Sequence, residues 1–202
     1  MAYNTLAGDA SIAKTIEALG KRGITGEVVA NGAAARERVV SLIPKGAEVM
    51  NMSAVTLETI GLDREINESG NYDSVKNKLN IMNRETQRSE MRKLGAAPDW
   101  AVGSVHAVTE EGEVFIASNT GSQLPGYAYG AQHVIWVVGA QKIVKTRDDG
   151  FKRVYDYVLP LENEHMLKLY NVNSNVSKLL LFTKETVPNR VRIIIVKEVL
   201  GF

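Results

Sequence analysis

The sequence predicts a three-layer α/β/α domain with a mainly parallel β-sheet, on three observations. Amphipathic helical segments alternate with short apolar strands along the 202 residues, an order typical of a parallel sheet with helices on both faces. The run His133-Val-Ile-Trp-Val-Val138 is the most apolar in the chain, which predicts a central strand covered on both sides. No linker, repeat or low-complexity stretch is visible, so we expect residues 1–202 to form one domain.

The first half of the chain reads as alternating helices and strands. Ile12, Ile16 and Leu19 recur at spacings of three and four, which predicts a helix from Asp9 to Lys21. The polar stretch Asp63–Tyr72 is interpreted as a loop with room for one short strand. The further predicted elements are strands over 24–30 and 47–52 and helices over 33–42, 53–60 and 74–94.

The second half contains the predicted central strand and a hairpin. Glu110-Glu-Gly112 separates two apolar runs, as in a β-hairpin. Thr146, followed by Asp148 and Asp149, is typical of a helix start, and we expect that last long helix to bend or break at Pro160. The hairpin and the C-terminal strands are expected to add antiparallel pairs. The further predicted elements are strands over 100–103, 107–109, 113–117, 133–138, 179–182 and 192–196, and a short helix over 122–129.

Composition excludes several classes of protein. The formal net charge of +1 and the absence of a basic stripe argue against nucleic-acid binding. The chain has no cysteine, which excludes disulfides and cysteine-ligated iron–sulfur clusters within it. No run approaches the length of a membrane helix and no signal peptide is visible, so we expect a cytoplasmic protein without a membrane segment. The three histidines lie far apart and lack zinc-ligand spacing, so we expect no metal. No Gly-x-Gly-x-x-Gly follows a strand and no Walker-type phosphate loop is present, so we expect no cofactor.

Two polar turns each follow a predicted strand and open a predicted helix. Ser53 and Thr56 lie in the first turn, where they either cradle an anion together with backbone N–H groups or, for Ser53, simply cap the helix. The second turn contains Asn119, Thr120, Gly121 and Ser122. It either approaches a ligand through Gly121, or forms an ordinary capping box between Thr120 and Gln123. Because ligands of open parallel sheets bind outside the carboxyl ends of strands, we expect the two turns to lie side by side there.

Three charged or titratable residues are further candidates. Glu110 is either part of an ordinary hairpin turn or a general base facing the same crevice. Lys142, just past the central strand, either offers a positive charge to an acidic ligand or is a solvated surface lysine. His106 follows a predicted central strand, although a structural or surface role is the more usual one for an isolated histidine.

Three segments, in this order and spacing, resemble the lactate-utilization (LUD) domain family over residues 10 to 202. They are Ser53-Ala-Val-Thr-Leu-Glu-Thr-Ile-Gly-Leu62, the stretch from Val105-His-Ala-Val-Thr-Glu-Glu-Gly-Glu-Val114 to Asn119-Thr-Gly-Ser122, and His133-Val-Ile-Trp-Val-Val-Gly-Ala-Gln-Lys-Ile-Val144 with the close Arg190–Phe202. The resemblance implies a fold similar to that of ribose-5-phosphate isomerase, coenzyme A transferases and 5-formyltetrahydrofolate cyclo-ligase.

The resemblance also implies a role in oxidising lactate beside iron–sulfur protein partners. Where some relatives carry cysteines, this chain reads Asn171-Val-Asn-Ser-Asn-Val-Ser177, so any redox group must come from a partner. We therefore expect a non-redox accessory component that binds a small anion and forms homo-oligomers. The alternative is a stand-alone isomerase, transferase or ligase acting on a phosphorylated or carboxylated molecule, because fold alone does not fix function.

Overall fold

The computed structural model describes residues 3–202, which form two β-sheets with eight α-helices packed around them. No helix in this part of the chain is long and apolar enough to span a membrane. The helices are α1 (Asp9–Lys21), α2 (Gly32–Leu42), α3 (Val55–Thr59), α4 (Leu62–Glu68), α5 (Val75–Ile81), α6 (Arg88–Ala96), α7 (Arg147–Lys152) and α8 (Leu159–Tyr170). The strands are β1 (Thr25–Val29), β2 (Glu48–Asn51), β3 (Asp73–Ser74), β4 (Trp100–Gly103), β5 (Ala107–Thr109), β6 (Val114–Ser118), β7 (His133–Gly139), β8 (Ile143–Val144), β9 (Lys178–Phe182) and β10 (Val191–Val196).

The main sheet has six strands in the order β1-β10-β7-β4-β2-β3, and all of its pairs are parallel. This arrangement confirms the predicted α/β class with a mainly parallel sheet. Strand β7 pairs with β10 on one side and β4 on the other, and Val134 to Val138 are buried. The predicted interior strand is therefore confirmed, and its apolarity follows from its coverage on both faces.

The two faces of the main sheet are covered differently. Helices α2, α3 and α4 pack on one face, around Val39, Leu57 and Leu62. The other face packs against α1 and against a second sheet of four strands, in the order β8-β5-β6-β9. The far side of the second sheet is covered in turn by the helical segment that contains Val154.

The antiparallel pairs all belong to the second sheet. Strand β6 pairs antiparallel with β5 in the predicted hairpin and with β9 from the C-terminal part. Strand β10, expected to add an antiparallel pair, instead lies parallel between β1 and β7. That part of the prediction is wrong: the continuous, fully buried apolar run from Ile193 to Val196 is typical of an interior strand of a parallel sheet.

Two stretches of the first half differ from the prediction. The expected loop at 63–72 contains α4, whose Leu62 and Ile66 are buried one helical turn apart. The expected long helix at 74–94 is two helices, α5 and α6. Asn83 lies between them, and its side-chain oxygen accepts hydrogen bonds from the backbone N–H groups of Glu85 and Thr86. Such local side-chain bonds compete with helix formation and end α5.

The last long helix starts as predicted but does not break at Pro160. Thr146 and Asp149 form a capping box at its start. The chain then stays helical to Tyr170 through a π-helical turn, Arg153–Val158, and Pro160 follows that turn in the first turn of α8. A π-helical turn is uncommon and is frequent at functional sites, and this one begins at a buried arginine.

Candidate functional site

A cavity of about 270 Å³ opens at the carboxyl edge of the main sheet. Three of its wall segments follow adjacent strands: 52–56 follows β2, 104–106 follows β4, and Lys142 follows β7. The turn after β6 and one face of the α7–α8 segment complete the wall. This is the edge at which open parallel sheets bind ligands, because loops from neighbouring strands converge there.

Lys142 is buried at the inner end of this cavity. Only 2% of the residue is exposed, so the expectation of a solvated surface lysine is wrong. The amine donates hydrogen bonds to Thr56 Oγ1 at 3.1 Å and to the Val105 carbonyl at 3.2 Å, and it lies 3.1 Å from Ser104 Oγ. Thr56 Oγ1 in turn donates to the Leu200 carbonyl. These bonds fix the amine at the junction of three loops.

The charge of Lys142 has no acidic partner among residues 3–202. Burial lowers the pKa of the amine from 10.5 to about 7, and the nearby positive charge of Arg153 lowers it further in the same direction. At neutral pH the amine therefore exists as a mixture of charged and neutral forms. A bound anion would favour the charged form and raise this pKa.

His106 lies beside Lys142 and is partly exposed to the cavity. Its Nδ1 accepts a hydrogen bond from the backbone N–H of Ala117 at 3.0 Å. In the neutral ring the proton then resides on Nε2, which makes that atom a donor. Burial first, and then the charges of Lys142 and Arg153, lower the pKa of His106 to about 3. The imidazole is accordingly neutral at physiological pH and offers one donor.

Arg153 is a second buried cation behind His106. It is fully buried and donates from Nη1 to the carbonyl of His106. Its Nε and Nη2 atoms have no hydrogen-bond partner among the described residues, and its guanidinium lies 5.3 Å from the centre of the Tyr157 ring. Burial lowers its pKa to about 10, so the group stays charged at neutral pH. Lys142 in the cavity wall and Arg153 behind it therefore make one end of the cavity positive.

The first predicted turn lines the cavity, but Ser53 is not a helix cap. Ser53 is exposed and Thr56 is buried, and both contribute to the cavity wall. The residue before α3 is Ala54, and no side chain caps the helix there. With only five residues, α3 is also too short for a strong dipole. This wall is polar because of the Thr56 hydroxyl and the Lys142 amine, and the N-terminus of α3 contributes less.

The second predicted turn follows a strand of the smaller sheet, so the two turns do not follow neighbouring strands of one sheet. Asn119 and Thr120 nevertheless line the same cavity, whereas Gly121 and Ser122 do not. The expected capping box between Thr120 and Gln123 is absent from the described bonds. Ser118 Oγ instead accepts from the Gly121 N–H at 2.8 Å and donates to Gln123 Oε1 at 2.9 Å.

Glu110 lies outside the cavity. Its carboxylate accepts a hydrogen bond from Ser11 at 2.7 Å and pairs with Lys14 at 3.3 Å, both on α1. The Ser11 hydrogen bond, followed by that of Lys14, lowers the pKa of Glu110. A carboxylate held in this way joins the second sheet to α1 and does not face the crevice where a general base would be needed.

The cavity wall contains polar residues that were not predicted as site residues, although His106 was named as a further candidate: Ser104, His106, Ser118, Gln123, Ser174 and Asn175. The signal for the first two was present: they follow strand β4, by the same strand-then-turn rule that led to Ser53. Arg153, behind the wall, carried no such signal, since it contacts the His106 carbonyl from a helical segment 47 residues further along the chain. Within residues 3–202 no group of three or more His, Cys, Asp or Glu side chains could hold a metal ion.

The fold and this cavity define an α/β protein with a polar pocket at the carboxyl edge of its parallel sheet. The model of the LUD domain matches residues 12–196, and the chain therefore belongs to the LUD domain family, a lactate-utilization-related family. The fold is similar to the crystal structure of a DUF162 family protein from Deinococcus radiodurans, with a TM-score of 0.59 and 11% identity, over 95% of this chain and 99% of that one. No curated protein matches the chain.

Proposed function

We propose that the chain binds a small anionic molecule in the cavity, as a non-redox accessory component of lactate or related organic-acid oxidation. The observation that carries the proposal is the pair of buried cations, Lys142 and Arg153. Lys142 lines the cavity, Arg153 lies behind the wall against the His106 carbonyl, and neither has a carboxylate partner among residues 3–202.

Buried unpaired charges are costly, which is why such a pair points to a ligand. Removing a cation from water costs several kcal/mol unless an opposite charge compensates it. Within the described residues, Lys142 has only neutral hydrogen-bond partners. An anion in the cavity would supply the missing charge. His106 Nε2 and the hydroxyls of Ser53 and Ser104 are suited to hydrogen-bond its oxygen atoms.

The accessory role rests on the family and on the chemistry of the chain. The chain has no cysteine and cannot itself hold a cysteine-ligated cluster, and the partner we propose to accept electrons from the oxidised acid is an iron–sulfur protein. Helix α8 exposes Leu169 and Tyr170, at 57% and 66%, which favours contact with a second copy or with that partner. Light scattering tests the proposed homo-oligomer, and a pull-down from the source cell tests the partner.

One observation favours a second candidate, a stand-alone isomerase, transferase or ligase. A lysine whose pKa is lowered to about 7 is well matched to proton transfer at neutral pH. Lys142 would then be the acid or base, with neutral His106 as the adjacent donor. Turnover of a bound phosphorylated or carboxylated compound, lost in Lys142→Met, would favour this candidate over the accessory role.

Thermal shift and calorimetry with acetate, lactate, pyruvate and inorganic phosphate test binding directly. Ligand binding raises the melting temperature in proportion to RT ln(1 + [L]/Kd). Wild type should be stabilised by at least one of these anions, and Lys142→Met should not. The matched control is Lys145→Met, the same change at an exposed position three residues away. Equal stabilisation of all three proteins would contradict the proposal.

A further inference from the structure

The size of the cavity limits what can fill it. An engineered protein cavity of about 150 Å³ accommodates benzene, which has six non-hydrogen atoms. The cavity of about 270 Å³ therefore has room for roughly ten to twelve such atoms by the same scale. A three-carbon hydroxy acid has six, so it would occupy only about half of this space.

The wall of the cavity changes character from one side to the other. Lys142, His106 and Ser104 come from the loops after β7 and β4 and are polar. The α7–α8 segment contributes Val154 and Val158, which are four residues apart and so share one face, and Met166 continues this wall. Val176 and Phe202 add two more apolar side chains. These apolar side chains can make neither hydrogen bonds nor ion pairs with the carboxylate of a small acid.

Glu162 is the one acidic side chain among the described residues of the cavity wall. It lies on α8, on the apolar wall, 3.5 Å from His165 Nδ1. A second negative group on the ligand would approach this carboxylate and be repelled. The positive side and the acidic position together favour a ligand with one anionic group.

Resting on the proposed function, we propose that the ligand is a monocarboxylate with an apolar alkyl or aryl tail of about five to eight carbon atoms, and not a three-carbon acid. The carboxylate binds beside Lys142 and His106. The tail packs against Met166, Val176 and Phe202. Lactate and pyruvate then bind only as fragments of the full ligand.

Calorimetry with straight-chain carboxylates from acetate to decanoate, at fixed pH and ionic strength, tests this. Burial of one CH₂ contributes about 0.8 kcal/mol, so affinity should rise about fourfold for each added CH₂. The rise should stop near octanoate, when the cavity is full. The dicarboxylate suberate should bind more weakly than octanoate.

Two variants identify where the head and the tail bind. Met166→Gln should weaken octanoate binding but leave acetate binding unchanged. The same substitution at Met91, on α6 and outside the cavity wall, should change neither. Lys142→Met should abolish binding of the whole series. Chain-length dependence that persists unchanged in Lys142→Met would overturn the inference, since it would reflect adsorption of the tail elsewhere.

The outcomes separate this inference from the proposed function. If acetate or lactate binds through Lys142 and longer chains bind no better, the anion site stands and the tail is refuted. If neither a carboxylate nor phosphate binds, both the proposed anion-binding function and the proposed monocarboxylate ligand are refuted.

Discussion

Replacing Lys142 by methionine should make the ligand-free protein more stable at neutral pH. Methionine keeps the length and apolar stem of the side chain and removes the buried charge. The pKa of Lys142 falls from 10.5 to about 7 on folding. At pH 7 the unfolded lysine is fully protonated and the folded one only about half protonated. At about 1.36 kcal/mol per pKa unit, the lowered pKa reduces the free energy of unfolding by about 4 kcal/mol at this pH.

The amine also contributes hydrogen bonds that methionine cannot make. Its three contacts, to Thr56, Ser104 and Val105, are worth about 1 kcal/mol each. Subtracting about 3 kcal/mol from about 4 leaves Lys142→Met about 1 kcal/mol more stable than wild type at pH 7. A stabilising truncation of a buried, hydrogen-bonded side chain is unusual, and it is expected here because no acid balances the charge.

Whether Lys142→Met is more or less stable than wild type should depend on pH. The folded pKa lies below the unfolded one, so the unfolded chain binds more protons between pH 7 and 10.5. The wild type therefore gains stability relative to the variant as pH rises through this window. At about pH 8 the free-energy cost of the lowered Lys142 pKa has fallen to about 3 kcal/mol, which equals the contribution of the three hydrogen bonds. Above this pH, Lys142→Met should be less stable than wild type.

Urea unfolding followed by tryptophan fluorescence at pH 6.5, 7.5 and 9.5 measures these differences. Lys145→Met, at an exposed position, should differ from wild type by less than about 0.5 kcal/mol at each pH. A Lys142→Met variant that is less stable at pH 6.5, or whose difference from wild type does not change with pH, would refute the reasoning.

Three further predictions follow from other contacts. The folded pKa of His106 is lowered to about 3, so wild type loses stability as the pH falls from about 6.5 to 3, and His106→Gln should reduce this loss. Urea unfolding as a function of pH measures how steeply the free energy of unfolding falls, and an unchanged slope in the variant would contradict the burial of this ring. Ser53→Ala should change the free energy of unfolding by less than about 0.5 kcal/mol, since Ser53 is exposed and caps no helix. The variant should nevertheless bind acetate more weakly in calorimetry. A decrease in the free energy of unfolding near 1 kcal/mol would mean that Ser53 does cap the helix. Arg190→Leu should cost about 3–5 kcal/mol in urea unfolding, because it leaves the buried carboxylate of Glu185, 2.6 Å from Arg190 Nη1, without its partner; a cost below about 1 kcal/mol would contradict this.

The sequence was informative where a pattern is local. Helix α1 has the predicted bounds because its apolar positions alone set its buried face. The run at 133–138 identified β7 because full burial requires continuous apolarity. Helix α4 was missed because its apolar positions, Leu62 and Ile66, lie within an otherwise polar stretch.

The site could be predicted only in part, for a related physical reason. The rule that polar turns follow strands led to Ser53, Thr56 and Asn119, which line the cavity. The same rule could not distinguish a buried Lys142 from a solvated one, since burial depends on the β4 and C-terminal loops that close over it. The contact between Arg153 and His106 joins elements of different layers, and no local spacing encodes it.

Titration of the Lys142 amine by NMR tests whether this buried amine is the anion-binding group. In protein labelled with ¹³C at lysine Cε, the signal absent from Lys142→Met belongs to Lys142. We expect this signal to titrate with a pKa of about 7 in the ligand-free protein and at a higher pH when octanoate is added. A Lys142 signal that titrates near 10.5, with no response to any carboxylate or to phosphate, would show that the amine is neither buried nor part of an anion site.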